Sequence, residues 1–69
     1  MRLKDLREDR DLTQREVADL LHIKQNTYSQ YENGQRQIPV SALVVLARFY
    51  NTSVDYILGE TDQIKPYQK

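Results

Sequence analysis

Apolar positions recur along this chain at helical spacing, and no stretch alternates as a strand would, so the pattern predicts a run of short helices. From Arg2 to Arg10, Leu3 and Leu6 stand one helical step apart among charged residues, and Leu12 closes the run. That is an amphipathic helix with a narrow buried stripe, and Arg7 lies at the stripe's edge, four residues after Leu3. A second helix opens at Thr13, because Thr13-Gln14-Arg15-Glu16 has the form of a capping box. Val17, Leu20 and Leu21 form its apolar face, Ala18 lets a neighbouring helix approach, and the pattern fades at His22-Ile23. The period restarts from Lys24 to Asn33 with Tyr28 and Tyr31 pointing inward. Asn33-Gly34 then supplies a stop, since glycine takes the left-handed cap conformation readily.

After a polar loop, Gln35-Arg36-Gln37, Pro39 is expected at the first position of a fourth helix. Val40 to Tyr50 is the most hydrophobic segment. Leu43, Leu46, Ala47 and Tyr50 make one stripe, Val40 and Val44 widen it, and Val45 and Phe49 make a second. Ser53 caps a last short helix that buries Val54, Ile57 and Leu58 and ends at Gly59. Glu60 to Lys69 is polar, contains Pro66 and is expected to fray. The fold class predicted is all-α, a compact bundle of about five short helices over residues 1–59 with a polar tail over 60–69.

Composition narrows what such a bundle can be. At 69 residues the chain buries only about 60% of its unfolded surface, which leaves a single small core. With no cysteine and one histidine, His22, disulfide staples and structural metal sites are not expected, nor is any cofactor. No apolar run approaches the roughly 18 residues needed to span a bilayer, and Met1 to Asp9 has no signal-peptide core, so a cytoplasmic protein without a membrane partner is expected. A net charge of zero argues against a nucleic-acid partner. The distribution weakens that objection: between Lys24 and Asn51 the charges are Lys24, Arg36 and Arg48 against Glu32 alone.

The stretch Thr13–Gly34 therefore reads as two helices joined by a tight turn, and the second presents Lys24, Gln25, Asn26, Ser29 and Gln30 on its non-buried side. Glutamine and asparagine bond bidentately to adenine N6 and N7 in the major groove, which admits an α-helix. The helix start at Lys24 brings free N–H groups toward phosphate. Gln14 is placed to do the same on the flanking backbone, and Arg36 and Gln37 follow the third helix where the next phosphates would lie.

The combination Leu12-Thr13-Gln14, Val17-Ala18 and Leu21, then Thr27-Tyr28-Ser29, Tyr31-Glu32-Asn33-Gly34, Arg36 and Ile38-Pro39, then Leu43, Leu46-Ala47 and Ser53 to Gly59 resembles the Cro/CI-type (Xre-like) helix-turn-helix domain of phage repressors and bacterial regulators. The resemblance runs from Leu3 to Gly59. It implies a lambda-repressor-like fold in which the second motif helix lies in the major groove and dimers span half-sites about one DNA turn apart. Carried over residue by residue, it places base contacts on Gln25, Asn26 and Gln30, with Ser29 beside them. Phosphate contacts fall on Gln14, Lys24, Thr27, Arg36 and Gln37. It also implies an internal ion pair between Arg7 and Glu32, and a dimer surface in the region after the fourth helix. His22 stands where this family usually has glycine, which implies a strained or altered turn.

Blander readings weigh against some of these. Tyr28 and Tyr31 read as core residues rather than base-stacking aromatics. Thr13, Ser41 and Ser53 read as caps or surface hydroxyls, and none has a histidine and acid at nucleophile spacing, so no enzyme is expected. Val45 and Phe49 either pack on the last helix or, with Val54, Tyr56 and Ile57, form an apolar patch for self-association. The expectation is a stand-alone transcriptional regulator that binds double-stranded operator DNA as a repressor-like homodimer, with no small-molecule ligand. Two alternatives stay open: a protein-interaction module that keeps the fold without reading DNA, and the DNA-binding fragment of a longer regulator.

Overall fold

Helices form where the apolar period predicts them. The computed structural model describes residues 1–65, and in it the helices are α1 (Leu3–Asp9), α2 (Gln14–Leu20), α3 (Gln25–Glu32), α4 (Val40–Phe49) and α5 (Val54–Leu58), with no strand among the described residues. The tail expected over 60–69 is described as far as Lys65, and residues 66–69, with Pro66, lie outside the described residues.

The starts of α2 and α5 are fixed by side chains. Thr13 accepts a hydrogen bond from the Glu16 backbone N–H while Glu16 accepts one from the Thr13 N–H, a complete capping box. Ser53 accepts from the N–H of Tyr56 at the start of α5. Pro39 differs from its expected position. It sits at the N-cap of α4 with an extended ψ of 150°, so Val40 rather than Pro39 is the first helical residue.

All five helices stop in the same way. Each is followed by a residue with positive φ: Asp11 (55°), His22 (58°), Gly34 (75°), Asn51 (54°) and Gly59 (88°). In each case the next residue donates back five positions, as in Leu12 to Arg7, Ile23 to Ala18, Gln35 to Gln30, Thr52 to Ala47 and Glu60 to Asp55. These are Schellman closures, which satisfy carbonyls the helix end would otherwise leave open. Only two of the five use glycine. Asp, Asn and His are the side chains that tolerate this conformation best, and the three other stops draw one of each.

The core is assembled from all five helices: Leu3 and Leu6 of α1, Val17 and Ala18 of α2, Tyr28 and Tyr31 of α3, Leu43, Leu46 and Ala47 of α4, and Ile57 of α5, with Ile38 and Tyr50 from the adjoining loops. The expectation that Val40 and Val44 widen the buried stripe of α4 does not hold, since Val40 is 72% exposed and both lie outside the core. Leu43, Leu46, Ala47 and Tyr50 already fill the space beneath the helix, and the first turn of α4 projects beyond it. Val45 and Phe49 are likewise exposed rather than packed into the core. Arg2 joins the two ends of the described chain. Its backbone N–H donates to Ile57, its guanidinium donates to the carbonyls of Tyr56 and Thr61 and to Asp62, and its charge lies 4.1 Å from the centre of the Tyr56 ring. The Thr52 hydroxyl donates to the carbonyl of Ile64.

Candidate nucleic-acid interface

What positions α3 is a polar network beneath it. Glu32, in the last turn of α3, has a side chain only 3% exposed and accepts from Arg7 Nε at 2.7 Å and from Arg7 Nη2 at 3.2 Å. Arg7 Nη1 also donates to the Leu12 carbonyl at 2.8 Å, in the turn between α1 and α2. Gln14, the first residue of α2, donates through Nε2 to Glu32 Oε1 at 3.2 Å. One carboxylate thus ties α1, α2 and α3 together. Burial pushes the Glu32 carboxyl up, but the hydrogen bonds from Arg7 and Gln14 and the nearby Tyr28 hydroxyl outweigh it and hold it below the usual range. The bond from Glu32 raises Arg7 above the usual guanidinium value. The buried Tyr28 hydroxyl makes no hydrogen bond of normal geometry, so its effect on Glu32 is that of a neighbouring dipole. Burial pushes Tyr28 up strongly and Tyr50 up to about 12.

With Tyr28, Tyr31 and Glu32 turned inward, the opposite side of α3 is open. At about 100° per residue, Gln25, Asn26, Ser29, Gln30 and Asn33 share one side of the helix. Gln25, Asn26 and Asn33 are exposed, and Ser29 and Gln30 are half-buried. Thr27 lies at the edge of this face and is half-buried. Lys24 is the N-cap of α3 and makes no side-chain cap bond, so the first N–H groups of the helix are not capped by it. Arg36 and Gln37 are exposed in the loop after Gly34. Glu32 is paired with Arg7, and Lys24 and Arg36 are exposed just before and after α3.

The residues expected at base edges therefore share one face, and Lys24 and Arg36 stand at its two ends. Gln14 is different: it is half-buried, with its amide already engaged by Glu32. Asn33 joins this face as well: the sequence reads it as a helix stop, but its spacing of three from Gln30 and seven from Asn26 places it on the same side.

The residues expected to form a dimer surface divide. Val45 and Phe49 are 42% and 38% exposed, Val44 and Leu58 are exposed too, and Val54 and Tyr56 are half-buried. Ile57 is completely buried in the core and is removed from that surface: α5 is a five-residue helix with one inward side, and Ile57 occupies it. Val45 also borders a groove of about 240 Å³ between the α2–α3 turn and α4, lined by Leu21, Ile23, Tyr31, Pro39 and Ala42 among others. The Phe49 ring packs edge-on against Tyr50 and lies under the Arg10 guanidinium. Among the described residues there is no cluster of metal-ligating side chains, and no helix is long and apolar enough to cross a membrane.

Comparison with known proteins adds a family model described as helix-turn-helix, which matches residues 3–57. The chain is 43% identical over 65 residues to the uncharacterized HTH-type transcriptional regulator YobD of Bacillus subtilis, covering 94% of this chain and 58% of that protein. It is 39% identical over 64 residues to the HTH-type transcriptional regulator ImmR of the same organism, covering 93% and 50%. It is 33% identical over 61 residues to the cryptic phage CTXphi transcriptional repressor RstR of Vibrio cholerae, covering 88% and 55%. The chain thus spans about half the length of these relatives. No solved structure gives a significant match.

Proposed function

The chain belongs to the helix-turn-helix family, and from that premise we propose that it binds double-stranded DNA sequence-specifically as a transcriptional regulator. In this reading α3 lies in the major groove. Gln25, Asn26 and Gln30, with Ser29, touch base edges. Gln14, Lys24, Thr27, Arg36 and Gln37 touch phosphates. The observation that carries the reading is the exposed face of α3, which holds amides and a hydroxyl, no acid, and a cation at each end. A solvated face with no partner would have no reason to exclude carboxylates. The names of the relatives, transcriptional regulators and a phage repressor, point the same way.

The regulator acts as a repressor-like homodimer on a short palindromic operator, in the cytoplasm, at the nucleoid when bound. One small module buries little DNA surface, so two copies supply the affinity. The exposed apolar residues Val45 and Phe49, with the half-buried Val54 and Tyr56, form the surface on which they meet.

Titration of duplex binding against salt tests the proposal. If Lys24 and Arg36 of two protomers neutralise phosphates, the logarithm of the affinity falls with the logarithm of salt concentration at a slope of about −4. A flat response, or no retention of any duplex at low salt, rejects it in favour of a fold kept for protein contacts.

A further inference from the structure

We propose that each copy of this chain seats Phe49 in the apolar groove of a second copy, with the two α4 helices antiparallel; the inference rests on the homodimer reading above. Knob and groove lie on one face of α4. Ala42, Val45 and Phe49 follow one another at spacings of three and four, so at about 100° per residue they fall on a single stripe two turns long. Ala42 and Val45 line the groove, with Leu20, Leu21 and Ile23 from the end of α2 and the turn that follows it. Phe49 stands exposed one turn beyond.

The groove has room for an aromatic ring. Its volume is about 240 Å³, and a cavity of about 150 Å³ is enough for benzene. It is open to solvent, because Val45, Pro39 and Ser41 on its border are all exposed. The Phe49 ring is already oriented. It packs edge-on against Tyr50 with ring centres 5.0 Å apart, and the Arg10 guanidinium lies 5.5 Å from its centre. Little side-chain freedom is left to lose when a partner takes up the free edge of the ring.

Symmetry and area select a second copy as the occupant. A two-fold interface is self-complementary, so a knob that enters the partner's groove is matched by the partner's knob entering its own. Antiparallel α4 helices meet this condition: Phe49 of each lies over the small Ala42 of the other, and the two Val45 side chains meet beside the axis. Val45 and Phe49 alone are two side chains, against about 800 Å² per partner in a stable interface. Filling both grooves extends the contact onto α2 of each copy. Charge agrees with this arrangement. Arg10 travels with Phe49, and the exposed Asp19 immediately precedes the groove residues Leu20 and Leu21. Seating Phe49 brings Arg10 of one copy toward Asp19 of the other, twice per dimer.

The full chain has no cysteine, so a single introduced one reports the contact. Val45→Cys, beside the axis, is expected to form an intermolecular disulfide about tenfold faster than Val40→Cys. Val40 is the more exposed of the two, 72% against 42%, but lies about 140° round the helix from the stripe. Arg10→Glu and Asp19→Arg, both at exposed positions, are each expected to weaken the dimer about three- to tenfold in sedimentation, free or on a two-half-site duplex. An equal mixture of the two variants is expected to recover the affinity of the unaltered chain, because each reversed charge then meets its opposite. Equal crosslinking at both positions, single reversals without effect, or reversals that the mixture does not rescue each overturn the inference, while a dimeric unaltered chain keeps the homodimer reading. An unaltered chain that stays monomeric both free and on the duplex overturns that reading and the inference with it.

Discussion

Arg7 and Glu32 face each other across the junction of α1 and α3 with Nε 2.7 Å from Oε2, and their side chains are only 12% and 3% exposed. A pair withdrawn from water to this degree is costly to break from one side, because the partner is left buried and charged. Glu32→Ala and Arg7→Ala are each expected to destabilise the fold by about 3–5 kcal/mol in urea unfolding. Replacing both with apolar residues of similar volume, Arg7→Met with Glu32→Leu, is expected to cost less than either single change. A double variant that loses the sum of the two would mean the side chains contribute independently, and the network account would fail.

Glu32 of this network and the separately buried Tyr50 hydroxyl set the pH limits of stability. Glu32 titrates below its ordinary value of 4.5, so its contribution is complete above that pH and is lost as the pH falls through the lower folded-state value. Tyr50 is raised from 10.0 to about 12, so burying it neutral favours the fold below pH 10 and that contribution disappears as pH rises toward 12. Unfolding free energy measured against pH is expected to be level between these limits and to fall beyond both. In Glu32→Gln the acid limb should flatten while the alkaline limb persists; an acid limb of unchanged size in that variant would assign it to other carboxylates.

His22 pays a conformational cost at φ 58°. The left-handed region costs a residue with a Cβ about 1–2 kcal/mol, and a glycine in its place raises the entropy of the unfolded chain by about 0.4–1 kcal/mol. His22→Gly is therefore expected to stabilise by a few tenths to about 1 kcal/mol, and His22→Val to destabilise. Thermal unfolding of the pair checks this, and a loss of stability in the glycine variant would show that the imidazole has a packing role in the turn.

Gln14 and Gln25 are expected to separate by kind of contact. Gln25 stands exposed on the outward face of α3, so Gln25→Ala should cost about 1–3 kcal/mol on the preferred sequence and little on random DNA. Gln14, its amide held by Glu32, is proposed to touch backbone rather than base edges, so Gln14→Ala should weaken all sequences alike. Affinities on a specific and a random duplex decide it; equal losses for both variants on both duplexes would undo the division.

Much of this was legible in the chain because short-range chemistry carries it. The capping box at Thr13, the stop at Gly34 and the inward tyrosines of α3 are patterns within a few residues. Base-edge candidates followed from the same period, since whatever is not turned inward at Tyr28 and Tyr31 is turned out. Gln14 could not be read this way. Its bond to Glu32 joins residues eighteen apart, and the sequence offers it only as a phosphate contact at a helix start. The Schellman closures at Asp11 and Asn51 were also missed, because Asp and Asn signal a cap far more weakly than glycine. Ile57 reads from the pattern of α5 as buried and also as part of a self-association patch, and its complete burial keeps only the first reading.

The proposed dimer also needs a surface on which two copies would meet. Val45 and Phe49, four residues apart on α4, form a short exposed apolar strip, and Val44 and Leu58 are exposed as well. Isolated apolar residues are ordinary on a protein surface, so the strip has to be tested as a contact. Val45→Glu puts a charge in it at a position 42% exposed, so the fold should tolerate it. Sedimentation is expected to shift from dimer toward monomer, and affinity for a two-half-site duplex to fall toward that for one half-site. Ile64→Glu, at a similarly exposed position outside the strip, should change neither. If Val45→Glu leaves mass and two-site affinity unaltered, the copies meet elsewhere, and Tyr56 beneath the Arg2 guanidinium is the next residue to change.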